Sequence, residues 1–64
     1  MTKLGIAVEI ADRVLEAQED HLAIDPEVVA DELTMLGAEA NVSRAEVCET
    51  VREEAAAVGV DTVQ

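Results

Sequence analysis

Apolar residues recur along the chain at the spacing of helix turns, and nowhere alternate with polar ones as a half-buried strand requires. Successive side chains stand about 100° apart around a helix. On that wheel Leu4, Ala7, Val8, Ile10, Ala11, Val14, Leu15 and Ala17 fall on one half, and Glu9, Asp12, Arg13 and Glu16 on the other. The pattern predicts a first helix over residues 2–19. Its apolar half divides into two adjacent seams, one of Leu4, Val8, Ala11 and Leu15, the other of Ala7, Ile10, Val14 and Ala17. One seam serves one neighbour. Two seams place the helix between two neighbours, within the fold or across an interface with a second chain. Glu9 and Arg13 stand four residues apart in the favourable order, which adds roughly a few tenths of a kcal/mol.

Glu19, Asp20 and His21 interrupt the pattern. Asp25 followed by Pro26 restarts it: Asp is a strong N-cap, Pro suits the first helical position, and Glu27 lies near the positive end of the helix dipole. A second helix is predicted over 26–37, with Val29, Leu33 and Leu36 as its inner stripe and Val28 and Met35 alongside. Gly37 is its stop signal, with continuation to Ala40 as the alternative. Asn41, Val42 and Ser43 form the next break. Ser43-Arg44-Ala45-Glu46 fits the capping box and opens a third helix over 43–58, closed by Gly59. Its apolar face is Ala45, Cys48, Val51, Ala55 and Val58, with Val47 beside it. The tail from Val60 to Gln64 is expected to fray. The expectation is an all-α, compact three-helix domain filling residues 1–64, helix-turn-helix-like or dimeric in arrangement.

Composition narrows what such a domain can be. Half of the 64 residues are hydrophobic, yet none is aromatic, so the core must be built mainly from Ala, Val, Leu and Ile. Small side chains bring little apolar area, and stability follows area at roughly 25 cal/mol per Å². A lone domain of this length therefore sits near the stability threshold, and association would stabilise it by mass action. One cysteine excludes an internal disulfide. No apolar run reaches the roughly 18 residues of a membrane span, and Glu9 and Asp12 interrupt the first apolar stretch against a signal peptide. A cytoplasmic location is the expectation.

Fifteen acidic residues against four basic ones give a net charge of −11. Compaction crowds those charges, and salt relieves the repulsion by shortening the Debye length to about 3 Å at 1 M. The Glu/Asp-rich, Ala/Val-heavy composition, with Lys3 as the single lysine, resembles that of cytoplasmic proteins of salt-in halophiles such as haloarchaea. The same charge argues against an anionic membrane surface as partner.

Candidate chemistry is sparse. Cys48 and His21 are single and far apart, and no calcium-loop pattern occurs, so no metal site or cofactor is expected. Glu46, Glu49 and Glu53 form a stripe expected to be a solvated face. Cys48 lies on the apolar side of its helix and reads as a buried, inert thiol. Arg44 and Arg52, one turn either side of it, are the only hint of an activating environment. A substrate pocket of several hundred Å³ is not expected in so small a chain, so no catalytic residue is assigned and no small-molecule substrate is expected. Glu32 and Glu54 fall within or beside apolar stripes, either as boundary positions whose side chains reach water or, on the sharper reading, as interface or paired positions that Arg44 or Arg52 could satisfy.

Val42-Ser43-Arg44-Ala45-Glu46-Val47, then Val51-Arg52 and Gly59-Val60, resembles the recognition-helix segment of GntR-type winged helix-turn-helix regulators. The resemblance implies DNA contact by Ser43, Arg44 and Arg52; phosphate favours a helix N-terminus, and Arg reads guanine. The chain departs from that family in the long segment from Thr34 to Asn41 before Val42, and in having only Asp61 to Gln64 after Val60, too little for a hairpin wing. Glu46, Glu49, Glu53 and Glu54 also oppose phosphate, which requires cation clusters. The leading expectation is a non-enzymatic helical interaction module that homo-oligomerises or docks on a larger protein. Its interface would be the seams of the first helix: Leu4, Val8, Ala11, Leu15, Ile10 and Val14. A compact DNA-binding regulator is the alternative, with nucleic acid as partner.

Charge and composition together predict that helicity rises steeply with salt. Far-UV circular dichroism between about 20 mM and about 2 M KCl tests this; full helicity at the low end, unchanged at the high end, refutes it.

Overall fold

Among the described residues three helices form where the apolar spacing places them: α1 over Lys3–Asp20, α2 over Pro26–Met35 and α3 over Arg44–Ala57. The structure is a computed structural model that describes residues 3–36 and 42–63, with Lys3 described by its backbone alone. The domain is all-α. The expected stop at Gly37, the alternative continuation to Ala40 and the break at Asn41 lie outside the described residues.

Each helix end has a local cause. The α2 N-cap Asp25 accepts the Glu27 N–H at 2.9 Å, and its own carbonyl accepts the Val29 N–H. The Ser43 hydroxyl accepts the Glu46 N–H at 3.1 Å at the start of α3. Past the end of α3, Gly59 takes φ +75°; its N–H bonds to the Ala56 carbonyl, and the Val60 N–H reaches back to the Ala55 carbonyl at 2.8 Å. This is a Schellman motif, and Val60 and Ala55 are both buried beneath it. The end of α1 repeats the device with a residue that sequence alone does not suggest. His21, at φ 56°, takes the left-handed position, with Leu22 N–H on the Ala17 carbonyl at 3.0 Å and His21 N–H on Gln18 at 3.3 Å. An L side chain is disfavoured there.

The core is one continuous cluster. α1 contributes Ile6, Ile10 and Val14, with Ala17 packed against them; α2 contributes Val29, Ala30 and Leu33; α3 contributes Val47, Cys48, Val51 and Ala55. Ile24, Val60 and Pro26 are buried with them. Leu33 and Val51 have no exposed surface. The buried α1 row therefore begins at Ile6, which the seam pattern omitted, whereas Ala7 is exposed. Leu36 and Val58 cap their helices and lie largely outside, and Ala45 in the first turn of α3 is exposed. All three were expected inside. Helix ends project past their neighbours, so stripe positions there lose their cover. Pro26, Ala30 and Val60 take the places instead.

The tail is a second correction. Rather than fraying, it pairs with the α1–α2 connection. Ile24 N–H donates to the Asp61 carbonyl at 2.9 Å, and Val63 N–H donates to the Ile24 carbonyl at 2.8 Å, forming one parallel β-bridge between Ile24 and Thr62. Gln18 of α1 also donates to the Val58 carbonyl at 3.2 Å, at the end of α3. Both backbone groups of Ile24 are thereby satisfied while its side chain enters the core.

α3 packs most extensively on α2, then on α1, and α1 meets α2 least. The radius of gyration is 10.7 Å, against about 10.7 Å expected for a folded chain of this length. The small-residue core thus packs to ordinary dimensions. Among the described residues no polar or charged side chain is buried, so the negative charge stays in solvent.

The two left-handed caps generate opposite expectations. His21→Gly should raise stability by about 0.5–1 kcal/mol, since Gly adopts the cap without a steric penalty. Gly59→Ala, with open space around the position, should lower it by about 1 kcal/mol through backbone strain alone. Urea unfolding at a fixed salt concentration reads both.

Candidate functional site

The two predicted α1 seams separate, apart from Ala7 of the inner one, which is exposed. Ile10 and Val14 belong to the chain's own core, so they are not available to a partner as the sequence suggested. The other seam has no cover: Leu4 is 76% exposed, Val8 53% and Leu15 49%, with Ala11 half-buried between them. One face of a helix can satisfy one packed neighbour, and here α2 and α3 lie together on one side of α1. The surviving apolar stripe is the uncovered seam of Leu4, Val8, Ala11 and Leu15.

The weak approach of α1 to α2 leaves a groove between them of about 540 Å³. A cleft of this size was not expected from the sequence. Its floor is apolar, with Ala17, Ile24 and Val29 below and the exposed side chains of Leu22 and Val28 at its edge. Its rim is acidic, with Asp12, Glu16 and Asp20 on the α1 side and Asp25 and Glu32 opposite. Arg13 bridges it, with Nε on Glu32 Oε1 at 3.2 Å and one terminal nitrogen on Glu9 Oε1 at 3.0 Å. Burial works against the charge of this guanidinium, but the hydrogen bonds it donates to Glu9 and Glu32, together with their negative charge, outweigh that and raise its pKa. Glu32 is therefore explained by a partner on α1, not by Arg44 or Arg52. Glu54 is exposed, and among the described residues no ion pair involves it.

The residues proposed to touch DNA are otherwise employed or dispersed. Ser43 spends its oxygen on the α3 cap. Arg44 donates to Asp31 Oδ1 and to the Glu27 carbonyl, with Glu27 Oε2 at 3.4 Å, which ties the start of α3 to α2. Arg52 is exposed two turns further on, among Glu46, Glu49, Glu53 and Glu54, all exposed as well. The carboxylate stripe of α3 thus lies on the surface as expected.

Cys48 is buried against the start of α2. Its thiol donates to Glu27 Oε2 at 3.0 Å and lies 3.7 Å from the Pro26 carbonyl. Burial pushes the thiol pKa up, and the Glu27 hydrogen bond and charge push it the same way; Arg44 and Arg52 oppose weakly. The direction is the opposite of that needed for a nucleophile, and it agrees with an inert thiol. His21 is exposed at its cap, and no ligand-like grouping of His, Cys, Asp and Glu occurs among the described residues. Among them, too, no helix is long and apolar enough to cross a membrane.

A raised thiol pKa has a defined consequence for stability. The unfolded chain releases the Cys48 proton before the folded chain does. Stability is therefore complete below the ordinary thiol pKa of about 8.5 and declines as pH rises through and above it. The chain has no Tyr and one Lys, so few other groups titrate there. Cys48→Ala should remove most of the alkaline slope in denaturant midpoint between pH 7 and pH 10. In the wild-type chain, iodoacetamide should label Cys48 far more slowly when folded than in urea.

Compared with known proteins, the chain matches no family model, no curated protein and no solved structure.

Proposed function

We propose that the chain is a small, non-enzymatic helical interaction module that homo-oligomerises or docks on a larger protein through the uncovered seam of α1. The carrying observation is the exposure of Leu4, Val8 and Leu15 along one face, over a length of three turns, with small Ala11 between them. Coherent apolar stripes of this kind mark association surfaces. A core without aromatic residues supports the same reading, because association adds the apolar burial that so short a chain lacks. The high acidic charge fits a protein adapted to concentrated salt and a cytoplasmic setting, where screening lets two such copies approach.

The alternative, a DNA-binding regulator using Ser43, Arg44 and Arg52, draws less support. Arg44 is held by Asp31 and Glu27, and the surface of α3 around Arg52 carries four exposed carboxylates. Phosphate binding requires a local excess of cations. Its test is an electrophoretic titration of genomic fragments in molar KCl, where absence of any retardation eliminates it.

Sedimentation equilibrium in about 2 M KCl tests the leading proposal. The double substitution Leu4→Gln, Leu15→Gln should weaken self-association at least tenfold while leaving helicity intact, because both side chains lie outside the core. A wild-type chain that is monomeric at millimolar concentration removes self-association, leaving docking on another protein as the form to be sought by cross-linking at an introduced Val8→Cys.

A further inference from the structure

We infer that the groove between α1 and α2 is a second docking site, one that takes a cationic amphipathic helix from a partner protein. It lies on a different side of α1 from the Leu4, Val8 and Leu15 stripe and goes beyond the self-association proposed for that stripe.

Three observations converge. The groove is built to receive apolar side chains, since Leu22 and Val28 stand 63% and 51% exposed at its edge above the buried Ile24 and Val29. An exposed leucine and valine beside a concave apolar floor are the features of a helix-in-groove site. Beside that floor runs a row of carboxylates, Asp12, Glu16 and Asp20, each one helical turn from the next. Like charges at this spacing repel and weaken the helix that carries them. Among the described residues no basic side chain pairs with any of the three. Lastly, α1 carries its charge against its dipole. It has no acidic residue in its first turn and no basic residue in its last, while Asp20 closes the helix at its negative end. The C-terminal end of α1, whose Asp20 lines the groove, therefore carries negative charge on negative dipole.

The occupant follows by charge complementarity. A helix presenting Lys or Arg at four-residue intervals matches the carboxylate row in pitch, and apolar residues on its adjacent face would meet Leu22 and Val28. A second copy of this chain cannot supply the row. It has four basic residues, of which Arg13 and Arg44 are already engaged by Glu9, Glu32, Asp31 and Glu27. Nucleic acid is repelled by the rim. Arg13, held across the groove by carboxylates from both helices, fixes the separation of the walls.

The test uses the full chain at the lowest salt at which its helicity has reached a plateau. The probe is a dye-labelled synthetic peptide of about 18 residues, with arginines at i, i+4 and i+8 and leucines along the adjacent face. A peptide of the same composition with the order permuted to interleave arginine and leucine around the helix is the control. Fluorescence anisotropy should show the designed peptide binding at least tenfold more tightly than the permuted one. The triple substitution Asp12→Asn, Glu16→Gln, Asp20→Asn should weaken it at least tenfold. That variant relieves repulsion, so helicity should be kept or raised. Leu22→Ser, at an exposed position, should also weaken binding, and amide shift changes should gather on the second half of α1 and on residues 22–29. Leu4→Gln, Leu15→Gln should leave peptide binding unchanged, so loss of the stripe and loss of the groove are read separately. Equal binding of both peptides, an unchanged affinity in the triple variant, shift changes confined to the acidic face of α3, or no binding at all would each overturn the inference.

Discussion

The fold depends on covering one narrow stripe of small side chains on α3. Val47, Cys48, Val51 and Ala55 offer little area individually, and no aromatic residue is present to compensate. Close packing recovers what size does not supply, because dispersion and exclusion of water both require contact on all sides. Val51 and Leu33 accordingly lose all exposed surface, and Ile10 nearly all. α3 becomes the common neighbour of α1 and α2.

Other features follow from that geometry. Two helices packed on a third need not touch each other along their length, and α1 and α2 meet least. The space left between them is the groove. Arg13 spans it by bonding carboxylates on both walls. The α1–α2 connection is tied to the tail by the backbone bridge of Ile24 and Thr62, and the Gln18 side chain ties α1 to the end of α3 through the Val58 carbonyl. The polar cluster of Arg44, Asp31, Glu27 and Cys48 fixes the start of α3 against α2. It also commits the cation that a phosphate-binding helix would need.

Charge is distributed by the same constraint. With no charged side chain buried among the described residues, the acids lie on outward faces of all three helices, and repulsion opposes compaction. The places where this acidity departs from simple surface coverage are specific. Asp12, Glu16 and Asp20 line a groove beside exposed apolar groups, and Asp20 stands at the unfavourable end of the α1 dipole. The uncovered seam of Leu4, Val8, Ala11 and Leu15 is the other departure, an apolar stripe on an otherwise acidic helix surface. Both lie on α1, the longest of the described helices.

The sequence determined the helices and their starts. Periodicity placed α1, α2 and α3, while Asp25-Pro26 and Ser43 with Glu46 marked two N-termini, because these signals act within one turn of backbone. It also identified Cys48 as a buried thiol, from its place on an apolar face. Tertiary structure decided the rest. Two equivalent-looking seams on α1 became one core face and one surface, since the direction from which α2 and α3 arrive is set by packing across the chain. Ile6 entered the core and Leu36, Ala45 and Val58 left it, for cover at a helix end depends on how far the neighbouring helix extends. The tail paired with Ile24, a contact between residues nearly forty apart in sequence that no local pattern encodes. Glu32 found Arg13 rather than Arg44 or Arg52 because side-chain pairing across helices follows their relative rotation. The groove has the same origin, a shape made by the space between two helices rather than by any residue within them.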